Sequence, residues 1–233
     1  MRGAALIVAG GLLAFNGQTA SPDIYVPARL VDGPKPAVPG ERTPNGGIAG
    51  ATILGGGEVL LEVSVGKTGE VAGVERIRVT PPYTDLVATA VESWRFLPAE
   101  SASAREPRHA IESRVLVAAV YRPPALYNGA TLGEPPKDLV RPSSLIPLPH
   151  EMIAPSYPVN ARGSETVLLE VDVSPSGTSR NARVVHSGGG FDSAAIQAAE
   201  RWTFSPARLP DGANIPSFAY VVMGFREPVV AGR

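Results

Sequence analysis

At 233 residues the chain has room for two domains of ordinary size, about 100–150 residues each. Its formal net charge of −1, with no long Lys/Arg run, argues against a nucleic-acid surface, which needs a concentrated positive patch. With no cysteine it has no disulfide, no thiolate nucleophile and no Cys-ligated zinc.

The chain opens with MRGAALIVAGGLLAFNGQTASPD: one cation, Arg2, an apolar run from Ala4 to Phe15, then small and polar residues. That layout predicts an export signal over residues 1–20. The run is short of the ~20 apolar residues that span a bilayer, so an uncleaved membrane anchor is the second reading. Cleavage after Ala20 would leave Gln18 where a small residue is preferred.

Residues 21–50 are crowded with proline and glycine, including Pro27, Pro34, Pro36, Pro39 and Pro44. The same composition returns over 125–155, with Pro135, Pro136, Pro142, Pro147 and Pro149. Proline lacks an N–H and keeps its predecessor extended, so both stretches read as semi-rigid spacers or as extended arms wrapped on a domain. They leave two folded stretches, 51–124 and 156–228.

In the first, Val59, Leu61, Val63 and Val65 alternate with Leu60, Glu62 and Ser64, the period of a half-buried strand. A turn, GKTGE, and a return strand, VAGVERIRV, complete a hairpin. Leu86, Val87, Ala90, Val91 and Trp94 then make one apolar stripe on a helix, with Thr84 as its N-terminal cap, and IESRVLVAAVY reads as a closing strand. Between them stands SWRFLPA, residues 93–99, whose proline is expected to stop the helix.

The second stretch repeats this order at a fixed offset of 108 residues (202 − 94 = 108). VLLEVDV from Val167 lies over VLLEVSV from Val59, Gly177 over Gly69, Asp192 over Thr84, and RWTFSPA over SWRFLPA. The expected fold is α+β: two tandem ββαβ modules, each a small three-stranded antiparallel sheet with one helix packed on it. Trp94, Phe96, Pro98, Trp202, Phe204 and Pro206 are then structural, joining helix to sheet in each module.

Signals for chemistry are weak. His109, His150 and His186 are scattered without metal-ligand spacing or a partner motif. SGGGFDS, residues 187–193, sets glycines before a helix, but Asp192 would repel a phosphate and no lysine follows. The chain therefore reads as a binding protein without cofactor, metal or small-molecule substrate.

The second stretch also resembles a known family. A leading Tyr157-Pro158, a hairpin with a glycine turn, an Ala-rich helix ending in Trp-x-Phe-x-Pro-Ala and the closing strand IPSFAYVVMGF together resemble the C-terminal domain of TonB and its relatives, over about seventy residues. The first stretch resembles it more weakly, lacking the Tyr-Pro start. The resemblance implies a periplasmic, exported protein in which a strand edge pairs with an extended segment of an outer-membrane TonB-dependent transporter or another envelope protein. The positions carried over are Ser217, Phe218, Ala219, Tyr220, Val221, Val222, Met223 and Gly224, with Tyr157 and Pro158 as the leading element. For that pair, ordinary packing where the chain joins the sheet is the equal alternative. Exposed strand edges also admit self-association. No histidine precedes His109, whereas an energised TonB carries one in its membrane helix. Two classes therefore stay open: a component of energy transduction to outer-membrane transport, and a soluble periplasmic scaffold or binding module without energy coupling.

Overall fold

The computed structural model describes residues 24–39, 55–103, 105–123 and 135–227. The expected export signal lies outside the described residues, as do residues 40–54. Among the described residues no helix is long and apolar enough to cross a membrane.

The N-terminal arm carries two short strands, β1 (Ile24–Val26) and β2 (Arg29–Asp32). The first half follows: β3 (Gly57–Val65), β4 (Val71–Val79), α1 (Tyr83–Val91), β5 (Arg95–Leu97), β6 (Ala99–Ala102), β7 (His109–Ile111) and β8 (Ser113–Tyr121). The proline-rich segment contributes β9 (Lys137–Asp138) and β10 (Leu148–Pro149). The second half is β11 (Glu165–Val173), β12 (Ser179–His186), α2 (Asp192–Ala199), β13 (Phe204–Ser205) and β14 (Ser217–Phe225).

The architecture is α+β, but it departs from the expected pair of separate three-stranded sheets. The long strands form one seven-stranded sheet in the order β12-β11-β14-β8-β3-β4-β9. Within each half the pairing is antiparallel; at the seam β8 and β14 run parallel, from Ala219↔Leu116 to Gly224↔Tyr121. The physical reason lies in two strands that are apolar on both faces. A strand buried on both sides belongs in the middle of a sheet, and each closing strand supplies the other's missing neighbour.

Because the order reads hairpin, closing strand, closing strand, hairpin, and the two closing strands run parallel, the helices lie on opposite faces. Side chains of β8 sort accordingly. Leu116, Ala118 and Val120 join the core under α2, with Ala195, Ala199 and Trp202; Val115, Val117, Ala119 and Tyr121 join the core under α1, with Val87, Val91 and Trp94. Each core thus draws on both halves.

A helix covers only its own half of a face, and the proline-rich segments cover the remainder. Ile146 and Met152 pack with Leu60 and Ile77 on the α2 side, while Ala28 and Leu30 pack with Leu168, Tyr220 and Val222 on the α1 side. Of the two readings of these stretches, their described parts are wrapped arms.

The helix starts differ from expectation as well. Neither Thr84 nor Asp192 caps the N–H groups of its own first turn. Each reaches backward instead: Thr84 Oγ1 accepts from Thr80 N at 2.9 Å and Asp192 Oδ1 from Gly188 N at 2.8 Å, fixing the turn between strand and helix. Nor does proline stop the helices, since α1 ends at Val91 and α2 at Ala199, well ahead of Pro98 and Pro206.

Candidate functional site

The closing strand of the second half is where a partner is expected. Ser217 to Val173 and Phe225 to Glu165 bound its antiparallel ladder with β11, and its other side pairs with β8. The free edge expected beside Ser217–Gly224 is therefore taken from Ala219 to Gly224, where β14 has a strand on each side, and a peptide entering there would have to displace β8. Ala219, Val221 and Met223 point under α2; Tyr220 and Val222 point to the α1 side. Phe218 is half-buried beneath the Arg29 guanidinium, 5.6 Å from its ring centre, and the Ser217 hydroxyl is buried with no hydrogen-bond partner among the described residues. Gly224 is glycine for space, because a Cβ there would lie 2.2 Å from the Tyr121 ring.

Tyr157 and Pro158 are both half-buried. The Tyr157 hydroxyl donates to Gly163 O at 2.7 Å, its ring meets Phe191 edge-on at 5.5 Å, and Phe191 in turn meets Phe225 at 4.7 Å. Tyr157 thus packs against the end of β14 through Phe191 rather than beside an open ladder.

Trp94 and Trp202 are fully buried, with Phe96 and Phe204 6.2 Å away in both halves. Phe96 N donates to Gly69 O at 2.8 Å and Phe204 N to Gly177 O at 2.9 Å, so the phrase after each helix is stitched to the hairpin turn. Both glycines have positive φ, +85° and +82°, which only glycine adopts without strain. Pro98 and Pro206 are half-buried just beyond.

Two acidic residues escaped the sequence reading. Glu62 and Glu170 occupy corresponding places on β3 and β11, on the face away from each half's own helix, and each is 2% exposed. A carboxylate there is tolerable only if charge and lone pairs are met. Glu170 receives Arg29 Nη2 at 2.9 Å, Arg183 Nη2 at 3.0 Å and the Tyr220 hydroxyl at 3.1 Å. The Tyr220 oxygen accepts in turn from Leu30 N at 2.7 Å, and burial pushes that phenol far above its ordinary pKa. Glu62 accepts from Ser143 N at 2.9 Å and from the Ser143 hydroxyl, with Arg114 at 3.8 Å. The available signal was a lone Glu recurring at one position of two otherwise apolar strands. Alternation marks it as outward-facing, which is true of the sheet but not of the molecule, because the arms pass over it.

The N-terminal arm holds the second half at further points. Lys35 Nζ lies 2.6 Å from Glu165, Thr166 Oγ1 donates to Pro36 O at 2.7 Å, and His186 Nε2 lies 2.6 Å from Gly33 O.

The two outer strands differ. Beyond β4, β9 adds a short antiparallel strand, Arg78↔Asp138 and Val79↔Lys137, and Leu139 N donates to Ile77 O at 2.8 Å. Arg78 holds the Asp138 carboxylate at 2.7 Å and so keeps its pKa below the usual range. Beyond β12, among the described residues, no strand follows.

No group of three or more His, Cys, Asp or Glu is placed to hold a metal among the described residues. His150 lies between Thr203 Oγ1 (3.2 Å) and Ser205 Oγ (3.0 Å), while His109 Nδ1 contacts Pro107 O at 2.9 Å.

No curated protein and no solved structure matches the chain. Residues 153–218, which run from the end of the second arm through β11, β12 and α2 to the first residues of β14, match the family model of the Gram-negative bacterial TonB protein C-terminal domain, and that match suggests a TonB-like protein of the cell envelope.

Proposed function

We propose that the chain is a TonB-like periplasmic protein that recognises extended segments of other envelope proteins by strand addition, in the service of energy transduction to outer-membrane transport. The observation that carries this reading is the family match over residues 153–218, because domains of this family interact with envelope proteins such as outer-membrane transporters. The first half is a diverged counterpart of the second. Three corresponding pairs support that: the backward-reaching Thr84 and Asp192, the buried Glu62 and Glu170, and the turn glycines Gly69 and Gly177.

One observation favours a second reading, a periplasmic scaffold without energy coupling. β8 occupies the place beside β14 into which a partner strand would enter, so the second half is closed at its own closing strand.

Photo-crosslinking in intact envelopes, from positions along β12 and along β14, separates the two. Crosslinks to an outer-membrane transporter whose yield changes when the proton-motive force is collapsed support transduction. Crosslinks indifferent to that collapse support the scaffold. A protein recovered in the cytoplasm, with no envelope crosslink, overturns both.

A further inference from the structure

We propose that the outer edge of β12 docks an acidic, extended segment of a partner protein, laid antiparallel as an additional strand. This rests on the strand-addition reading above and specifies both the place and the chemistry of the incoming segment. The argument begins with the opposite end of the sheet. There β4, the counterpart of β12, already carries a short extended segment of its own chain, one cation and one carboxylate: Lys137 and Asp138 pair antiparallel with Val79 and Arg78, and the Asp138 carboxylate lies on the Arg78 guanidinium. A hairpin of this kind therefore accepts a short strand on its outer edge, with backbone bonds supplying the adhesion and an Arg–carboxylate pair fixing the position; the acidic preference at β12 comes from the charge of β12 itself.

β12 presents the same opportunity without an occupant among the described residues. Its sequence, SRNARVVH, holds Arg180 and Arg183, both exposed, and no Asp or Glu. Arg183 and Arg29 share the single buried carboxylate of Glu170, which leaves one cation in excess beside the edge, and Arg180 adds another. The facing acid is Asp172, which accepts from Asn181 Nδ2 at 3.0 Å; Lys35 and Glu165 neutralise each other. The local balance is positive. A second copy of this chain is a poor occupant, because pairing two β12 edges would bring together two strands that carry arginine and no acid.

The test uses the full chain and two short synthetic peptides, one of alternating Glu and Val, the other of alternating Lys and Val. The Glu/Val peptide is expected to slow amide exchange along β12 and not along β4. The same peptide methylated on alternate backbone nitrogens should not, and added salt should weaken the complex. Arg180→Glu, at an exposed position away from Glu170, should weaken the Glu/Val peptide about threefold without changing the melting temperature. Equal protection of β12 by the Lys/Val peptide would overturn the acidic preference while leaving strand addition standing. Protection confined to another strand would overturn the site alone. Protection of β12 that rises with protein concentration and needs no peptide would identify a second copy as the occupant. If neither peptide protects any strand, both the inference and the strand-addition reading fall.

Discussion

Trp94 and Trp202 make the same bond: each indole Nε1–H donates to a carbonyl of the arm that precedes its half, Pro34 O at 2.8 Å and Ile153 O at 3.1 Å. Each ring therefore joins a helix end, a sheet face and a proline-rich segment that makes little regular structure of its own.

Trp202→Ala removes that junction. Truncating a buried aromatic of this size costs about 3–5 kcal/mol, and here it also strands the Ile153 carbonyl. The denaturant midpoint is expected to fall accordingly, with residues near Ile153 losing amide protection first. An unchanged midpoint would refute the structural role.

Gly177→Ala and Gly163→Ala form a matched pair, since their φ values are +82° and +80°. Around Gly163 nothing lies within 4 Å of an added Cβ, so only the left-handed strain of about 1–2 kcal/mol is expected. At Gly177 the Cβ would lie 2.0 Å from Phe204 O, in rigid backbone, and the loss should exceed about 3 kcal/mol. Thermal denaturation of the two variants side by side checks the difference.

Stability should decline in alkali. The Tyr220 phenol is raised by burial above its unfolded value of about 10, so above that pH the unfolded chain releases a proton that the folded chain keeps. Its contribution is whole below pH about 10 and is lost as pH climbs toward the folded value. Burial acts in the same direction on Tyr83 and Tyr25. Tyr220→Phe should be less stable at neutral pH, having lost the bonds to Glu170 and Leu30, yet show a flatter decline above pH about 10 in urea titrations.

Residues 135–233 expressed alone would lose β8 and the N-terminal arm together, baring one edge of β14 and the Tyr220 side of the sheet. Such a fragment is expected to self-associate, a second β14 taking the place of β8. Sedimentation over a range of concentrations reads this directly; a stable, cooperative monomer would show that the halves are independent units.

Local structure was legible because it is written in local periods. The alternation of Val59 to Val65 and of Val167 to Val173 gave the hairpins, and the stripes ending in Trp94 and Trp202 gave the helices. The seam was written too, in VLVAAVY and FAYVVMGF, where apolar residues fill both faces; each marks a central strand, but neither says which strand lies beside it. The lids over Glu62 and Glu170 were not legible. Proline-rich chain has no period to read, and its contacts with the sheet join residues as far apart as Arg29 and Glu170.

The parallel seam also has a mechanical meaning. Strands running the same way, matched from Ala219↔Leu116 to Gly224↔Tyr121, start and finish at the same ends of the sheet. Tension that slides one half past the other along the strands loads those interstrand bonds in shear, so that they must fail together. Tension applied across the strands peels them one at a time and meets far less resistance. The direction of a tug, more than its size, would then decide whether the two halves stay joined.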